Sequence, residues 1–176
     1  MIIGLSGYAQ SGKDTVANIL VQNYGFTRVA FADKIREFLY EMNPLVETVG
    51  FEPMYLKEYV DRDGWEKSKQ RPLVRRLLQT TGVAARKTFG ENHWVVEAYK
   101  SMDLDKKYVV TDVRFLNEAE WLHTFSGELW RVERPNVTAV NLHVSESQLD
   151  GYNFDRVILN DGTLEDLKAS VMGLLV

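Results

Sequence analysis

The sequence predicts an α/β chain: a parallel sheet with helices on both faces. Three observations predict it. Short apolar runs alternate with helix-patterned stretches along the 176 residues, as strands joined by crossover helices do. The first apolar run feeds a glycine-rich turn that opens a helix-patterned segment. No repeat, low-complexity stretch or linker divides the chain into two large domains, so one domain with a small insert is expected.

Ile2-Ile3-Gly4-Leu5 reads as a buried strand. Residues 13–24 read as a helix, with Val16, Ala17, Ile19, Leu20 and Tyr24 on adjacent faces and Gly25 as its stop. Thr27 to Ala32 reads as a second strand, and Asp33 to Met42 as a helix capped by Asp33. Residues 43–71 mix prolines, glycines and charges without a period and suit a mobile insert. Pro72 opens a helix with Leu73, Val74, Leu77 and Leu78 on one face and Arg75, Arg76 and Gln79 on the other. Another helix covers Asn92 to Lys100.

Tyr108-Val109-Val110-Thr111 is a buried-strand pattern ending at Asp112. A helix near Leu116 to His123 and a strand near Glu128 to Val132 follow. Residues 135–153 form a polar loop, and Arg156-Val157-Ile158-Leu159 is the last strand. Thr163-Leu164-Glu165-Asp166 has the spacing of a capping box, ahead of an apolar stripe of Leu164, Leu167, Val171 and Leu174.

Composition narrows the function. With no cysteine, disulfides and thiolate chemistry are excluded. No apolar run approaches the roughly 18 residues of a membrane span. The apolar start, Met1 to Leu5, is too short for a signal peptide, so a cytoplasmic protein is expected. The net charge of −4 argues against a nucleic-acid polymer as partner. Yet residues 67–90 hold Lys67, Lys69, Arg71, Arg75, Arg76, Arg86 and Lys87 and no acid, which points to a small anion.

Gly7-Tyr8-Ala9-Gln10-Ser11-Gly12-Lys13 matches G-x-x-x-x-G-K, a phosphate loop. Its glycines let successive N–H groups turn toward an anion, the helix that follows adds its positive end, and Lys13 reaches the β- and γ-phosphates of a nucleotide. Asp14 stands where a hydroxyl usually ligates Mg²⁺, and the hydroxyl, Thr15, comes one residue later. Asp14 suits the hard cation, and Thr15 suits the α-phosphate or the metal.

Asp112, at the carboxyl end of a strand, is a candidate for Mg²⁺ coordination or for polarising the acceptor. Arg114 either binds a phosphate or closes the loop on Asp112. Asp33 either orients the acceptor or caps its helix. Arg75, Arg76 and Arg86 either clamp an acceptor phosphate or line a solvated face. Arg131 and Arg134 flank a strand end, where one can act on the transferring phosphoryl group from a lid. Asn160-Asp161-Gly162 either lines an adenine pocket through its backbone or is a plain turn before the Thr163 cap. His93, His123 and His143 lack metal-ligand spacing, His123 reads as helical surface, and Trp65, Trp94, Trp121 and Trp130 read as packing groups.

These segments resemble the phage-type deoxynucleoside monophosphate kinases of the P-loop kinases. The resemblance lies in Gly7 to Thr15 (GYAQSGKDT), Phe31-Ala32-Asp33-Lys34, Leu78-Gln79 through Trp94, Thr111 to Glu118 (TDVRFLNE), His143-Val144-Ser145-Glu146 and Asn160 to Leu167 (NDGTLEDL). It implies a three-layer fold on a five-stranded parallel sheet, a helical monophosphate-binding region over about 43–100 and a lid over about 135–153. It also implies ATP·Mg²⁺ as donor, a deoxynucleoside monophosphate as acceptor, Lys34 and Glu118 among the substrate-binding residues, often a homodimer, and host cytoplasm where a phage encodes the chain. Phosphomevalonate and dephospho-coenzyme A kinases are similar at Gly12-Lys13-Asp14, at the Ser145-Glu146 pair or at the final loop from Asn160 to Gly162. A kinase of another phosphorylated metabolite, and a regulatory nucleotide-binding module, therefore stand as alternatives. Residues 135–150 hold no arginine, unlike the arginine-rich lids of many relatives.

Overall fold

The structure, a computed structural model, describes residues 1–49, 52–135, 137 and 148–175. In chain order its elements are β1 (Ile2–Ser6), α1 (Lys13–Tyr24), β2 (Phe26–Val29), α2 (Phe31–Met42), β3 (Leu45–Val49), β4 (Glu52–Tyr55), α3 (Leu56–Ser68), α4 (Pro72–Phe89), α5 (His93–Tyr99), β5 (Lys107–Val110), α6 (Leu116–Thr124), β6 (Glu128–Glu133), β7 (Arg156–Leu159) and α7 (Leu164–Gly173). They fall into two compact units, Met1–Ala30 with Tyr99–Val176, and Phe31–Ala98. The second unit starts earlier than the expected insert and carries an antiparallel hairpin, β3–β4, besides its helices. No helix among the described residues is long and apolar enough to cross a membrane.

The first unit is a five-stranded sheet in the order β2-β5-β1-β6-β7, with parallel pairing throughout. Side chains alternate across each strand, and the partition between faces is visible in β1. Ile3 and Leu5 join Val16, Ala17 and Leu20 of α1, Trp130 and Val132 of β6, and Leu167 and Val171 of α7 in one core. Gly4 points the other way, where a Cβ would run into the Leu122 side chain of α6. Helices thus cover both faces, and the three layers read from the sequence are present.

The local signals at α1 and α7 hold. Gly25 ends α1 with a left-handed φ of 70° and donates its N–H to the Leu20 carbonyl. Thr163 caps α7 reciprocally: Asp166 N–H donates to Thr163 Oγ1, and Thr163 N–H donates to Asp166 Oδ2 at 2.8 Å.

Three readings need correction. β2 stops at Val29 instead of Ala32, because α2 begins at Phe31, whose ring is one of the side chains it buries. Asp33 therefore lies inside the first turn of α2 and not at the N-cap position read for it. Residues 43–71 hold β3, β4 and α3, hidden in the sequence because the strands are a short ribbon and Gly64 interrupts α3 at φ 73°. On α4 the inward face centres on Val74, with Leu77 and Leu78 packed beside it in a core with Leu39 and Leu56, while Leu73 is 43% exposed.

Candidate active site

The loop between β1 and α1 takes its shape from glycine. Gly7 has φ 141° and Gly12 has φ 108°, values that L side chains rarely adopt. Space excludes a side chain as well: a Cβ on Gly7 would strike the Val132 carbonyl, and one on Gly12 the Asn160 side-chain amide. Gln10 also takes a left-handed φ of 66° and is exposed, and Ala9 is half-buried. The first backbone bond of α1 runs from Val16 N–H to the Gly12 carbonyl at 3.0 Å, so the positive end of the helix dipole lies at the loop. Ser11 is buried and its Oγ has no hydrogen-bond partner among the described residues, a cost that a polar ligand in the loop would offset.

Lys13 sits at the centre. Its Nζ donates to the carbonyls of Gly7 and Tyr8, each at 2.7 Å. An ammonium held by two carbonyl oxygens of the turn is already aimed into the loop and can exchange them for phosphate oxygens. From the far edge of the sheet, Asn160 Nδ2 donates to the Ser11 carbonyl at 2.8 Å, and Asn160 N–H donates to the Glu133 carbonyl at 2.7 Å. Asn160 thus braces the loop with its side chain as well as its backbone. Gly162 makes room for the α7 cap, since a Cβ there would press on Asp166.

Asp14 is exposed and Thr15 half-buried on the first turn of α1. Asp112 comes two residues after β5. Thr111 N–H donates to the Val29 carbonyl at 3.0 Å and Val113 N–H to the Leu5 carbonyl at 3.2 Å. Those bonds fix Asp112 at the sheet edge from which β1 enters the phosphate loop. Among the described residues no group of three or more His, Asp or Glu side chains forms a metal cage. Mg²⁺ needs only one or two carboxylates, sharing its remaining positions with water and phosphate, so Asp14, Thr15 and Asp112 fit it.

Glu118 has a structural task. It is 5% exposed, and its Oε2 accepts from Arg114 N–H at 2.7 Å and Phe115 N–H at 3.0 Å, which anchors the turn after Asp112. The Arg114 side chain is exposed.

Arg131 lies on β6 itself, in register with Ser6 of β1, and is 8% exposed. Its guanidinium lies over two rings, 4.8 Å from the centre of Tyr8 and 5.3 Å from that of Phe154. Asp150 Oδ1 is 3.5 Å from Arg131 Nη2 and accepts from the Tyr8 hydroxyl at 2.9 Å. That acceptor raises the Tyr8 phenol above its ordinary pKa, burial adding to the effect. Arg134 is exposed and has no ion-pair partner among the described residues. The sequence did not single out Tyr8, Asp150 and Phe154. An aromatic residue inside a phosphate loop was the one available signal. His143, Ser145 and Glu146, with most of the expected lid, lie outside the described residues.

In the second unit, acids that precede the cationic stretch in sequence pair with its first three cations. Lys67 pairs with Asp63, Lys69 with Glu66, and Arg71 with both Glu47 and Asp63. Arg62 and Lys67 hold the Asp63 carboxyl down at about 2. Arg86 Nη1 donates to the Glu91 carbonyl at 2.9 Å. Arg75, Arg76 and Lys87 stay exposed, without an ion-pair partner among the described residues. Arg75 and Arg76 lie near the start of α4, whose first turn carries no acid. Lys34 pairs with Glu37 at 2.8 Å, and Asp33 accepts from Arg36 at 3.2 Å. Trp94 is buried, its indole N–H donating to the Gly82 carbonyl at 3.0 Å, and it packs as read. His123, by contrast, is engaged: Asp155 lies 2.9 Å from its Nε2.

A family model described as deoxynucleotide monophosphate kinase matches residues 60–171. A protein of Acanthamoeba polyphaga mimivirus, provisionally named a deoxynucleotide monophosphate kinase, is 27% identical over 98% of this chain and 94% of its own length. The deoxynucleotide monophosphate kinase of Escherichia phage RB69 is 31% identical over 58% of this chain and 44% of its own length. Among solved structures, a dephospho-CoA kinase from Campylobacter jejuni aligns over 99% of this chain and 94% of its own, at 14% identity and a TM-score of 0.45. The family match extends from α3 to α7, well over half of the chain. The chain belongs to the deoxynucleotide monophosphate kinase family.

Proposed function

We propose that the protein transfers the γ-phosphoryl group of ATP to the phosphate of a deoxynucleoside monophosphate, giving ADP and a deoxynucleoside diphosphate. The observation that carries this reading is Lys13, held at 2.7 Å by two carbonyls of a glycine-shaped loop at the positive end of α1. Phosphoryl transfer asks a protein mainly to position groups and to neutralise charge. The loop N–H groups and Lys13 hold the β- and γ-phosphates, and Thr15 the α-phosphate. Asp14 and Asp112 hold Mg²⁺, directly or through water. When bound with the nucleotide, that ion neutralises charge on the phosphate oxygens.

Arg75 and Arg76, exposed on α4 and without an ion-pair partner among the described residues, bind the acceptor monophosphate. Arg86 and Arg114 assist, and Arg134 is left to meet the transferring group. The attacking oxygen belongs to a phosphate that is already anionic, so no strong general base is needed. On this reading the protein works in a cytoplasm, that of the host where a virus encodes it, and pairs as a homodimer.

A coupled ADP-release assay tests the reading. The donor is ATP·Mg²⁺, and the acceptors are the four common deoxynucleoside monophosphates, their ribose forms, 5-phosphomevalonate and dephospho-coenzyme A. Turnover that depends on a deoxynucleotide is expected. Turnover with only a non-nucleotide acceptor transfers the activity to another metabolite. ATP binding without turnover on any acceptor makes the protein a nucleotide-binding module.

A further inference from the structure

The reaction proposed above uses the phosphate loop but leaves Tyr8, Asp150 and Arg131 without a part. We infer that these residues form a clasp that positions the phosphate loop for the donor nucleotide, Asp150 holding the Tyr8 hydroxyl and the Arg131 guanidinium together. This rests on ATP as the donor. The Tyr8 carbonyl is one of the two oxygens that hold Lys13 Nζ, at 2.7 Å. The placement of residue 8 therefore sets where the ammonium waits.

The clasp reaches residue 8 from a rigid support. Arg131 belongs to β6, paired through Ser6 with the strand that enters the loop, and it is 8% exposed. Its guanidinium lies over both the Tyr8 and Phe154 rings, where a cation gains from each. Glu133 also approaches the same guanidinium, at 3.8 Å. Asp150 Oδ1 thus accepts from the Tyr8 hydroxyl and pairs with the Arg131 guanidinium at 3.5 Å.

Between Gly7 and Gly12, Tyr8 is the side chain with a partner that can tie the loop down. Ala9 has no polar side-chain group, Gln10 is exposed in the left-handed region, and Ser11 Oγ has no partner among the described residues. The loop is therefore held at one side by Asn160 on the Ser11 carbonyl and at the other by Asp150 on Tyr8. Fixing a site before the ligand arrives lowers the ordering cost of binding. The consequence falls on the donor and leaves the acceptor untouched. Tyr8, Asp150 and Arg131 are positioning residues, acting through the loop backbone and Lys13.

The test is calorimetric titration of ATP·Mg²⁺ into the wild type, Tyr8→Phe, Asp150→Ala and the double variant, with melting temperatures and steady-state kinetics alongside. Each single variant is expected to bind ATP about three- to tenfold more weakly, the size of one net hydrogen bond. The double variant is expected to be no weaker than the worse single one, since both remove the same link. The KM for the acceptor is expected to hold, and the melting temperature to shift little. Full ATP affinity in folded single variants, additive losses in the double, or an equal rise of KM for both substrates would each overturn the clasp. A wild type that binds no ATP·Mg²⁺ overturns the donor reading and the clasp with it. A wild type that binds while the variants bind equally well overturns the clasp alone.

Discussion

Asn160 and Ser11 are 149 residues apart in sequence, and the Asn160 side-chain amide donates to the Ser11 carbonyl at 2.8 Å. The bond joins the exit of the edge strand β7 to the phosphate loop that leaves β1, two strands away. Replacing Asn160 by Ala removes it and opens space beside Gly12. The expected result is a KM for ATP raised about three- to tenfold, with stability lowered by about 1 kcal/mol. Steady-state kinetics and urea unfolding measure the two effects separately.

Lys13→Ala is expected to reduce kcat by about 100-fold or more, as loss of a donor aimed at a developing charge does. The fold is expected to survive, because Lys13 is only half-buried and two of its bonds go to the loop's own carbonyls. Circular dichroism and single-turnover kinetics check both halves. Near-normal turnover in the folded variant would remove the phosphate loop from the mechanism.

Arg76→Ala probes the acceptor. Arg76 is exposed on α4 with no ion-pair partner among the described residues, so its loss breaks no bridge there. The KM for the monophosphate is expected to rise about tenfold or more, as when a charge-assisted hydrogen bond is lost, while that for ATP holds. Lys69→Ala serves as the control: its ammonium already faces Glu66, and an exposed pair of this kind contributes little. An acceptor KM unmoved by Arg76→Ala takes that residue out of the site.

Asp155 gives a pH prediction. Burial pushes its carboxyl up, but the Leu129 N–H at 2.7 Å and His123 outweigh burial and leave it below the usual carboxylate value. A carboxyl with a depressed folded pKa stabilises the protein above its unfolded pKa. The contribution is lost as pH falls from about 4 through the folded pKa. Asp155→Asn is expected to flatten that acid limb in melting temperatures recorded from about pH 3 to about pH 7. An unchanged acid limb would show that Asp155 does not set it.

The sequence was most legible where a signal is short-range. Gly7 to Thr15 named the phosphate loop, because the glycines that shape it and the lysine that fills it lie within one turn of each other. Gly25 stopped α1 and Thr163 with Asp166 started α7 for the same reason. The alternation of apolar runs with amphipathic stretches foretold a parallel sheet, since parallel strands need crossovers long enough to hold a helix. The start of α2 was missed because Phe31 suits a buried strand end and a helix start equally well. The hairpin β3–β4 was missed because a two-stranded ribbon leaves no run of inward side chains to read.

The class of the chain is local information: a phosphate loop on an α/β sheet, with Lys13 at its centre and Asp112 after a buried strand. Which distant acid meets Arg71 and what holds the loop depend on how the chain folds back on itself. The acid-free window 67–90 looked cationic throughout, yet Glu47, Asp63 and Glu66 reach into it from outside and leave Arg75, Arg76 and Lys87 exposed. Arg131, read as a lid arginine, is stacked against Tyr8 and paired with Asp150. The reason is physical. A turn, a cap or a helix pair such as Lys67–Asp63 joins groups a few residues apart, whereas Arg71–Glu47 and Arg131–Asp150 join groups far apart in sequence, and no local pattern carries their meeting.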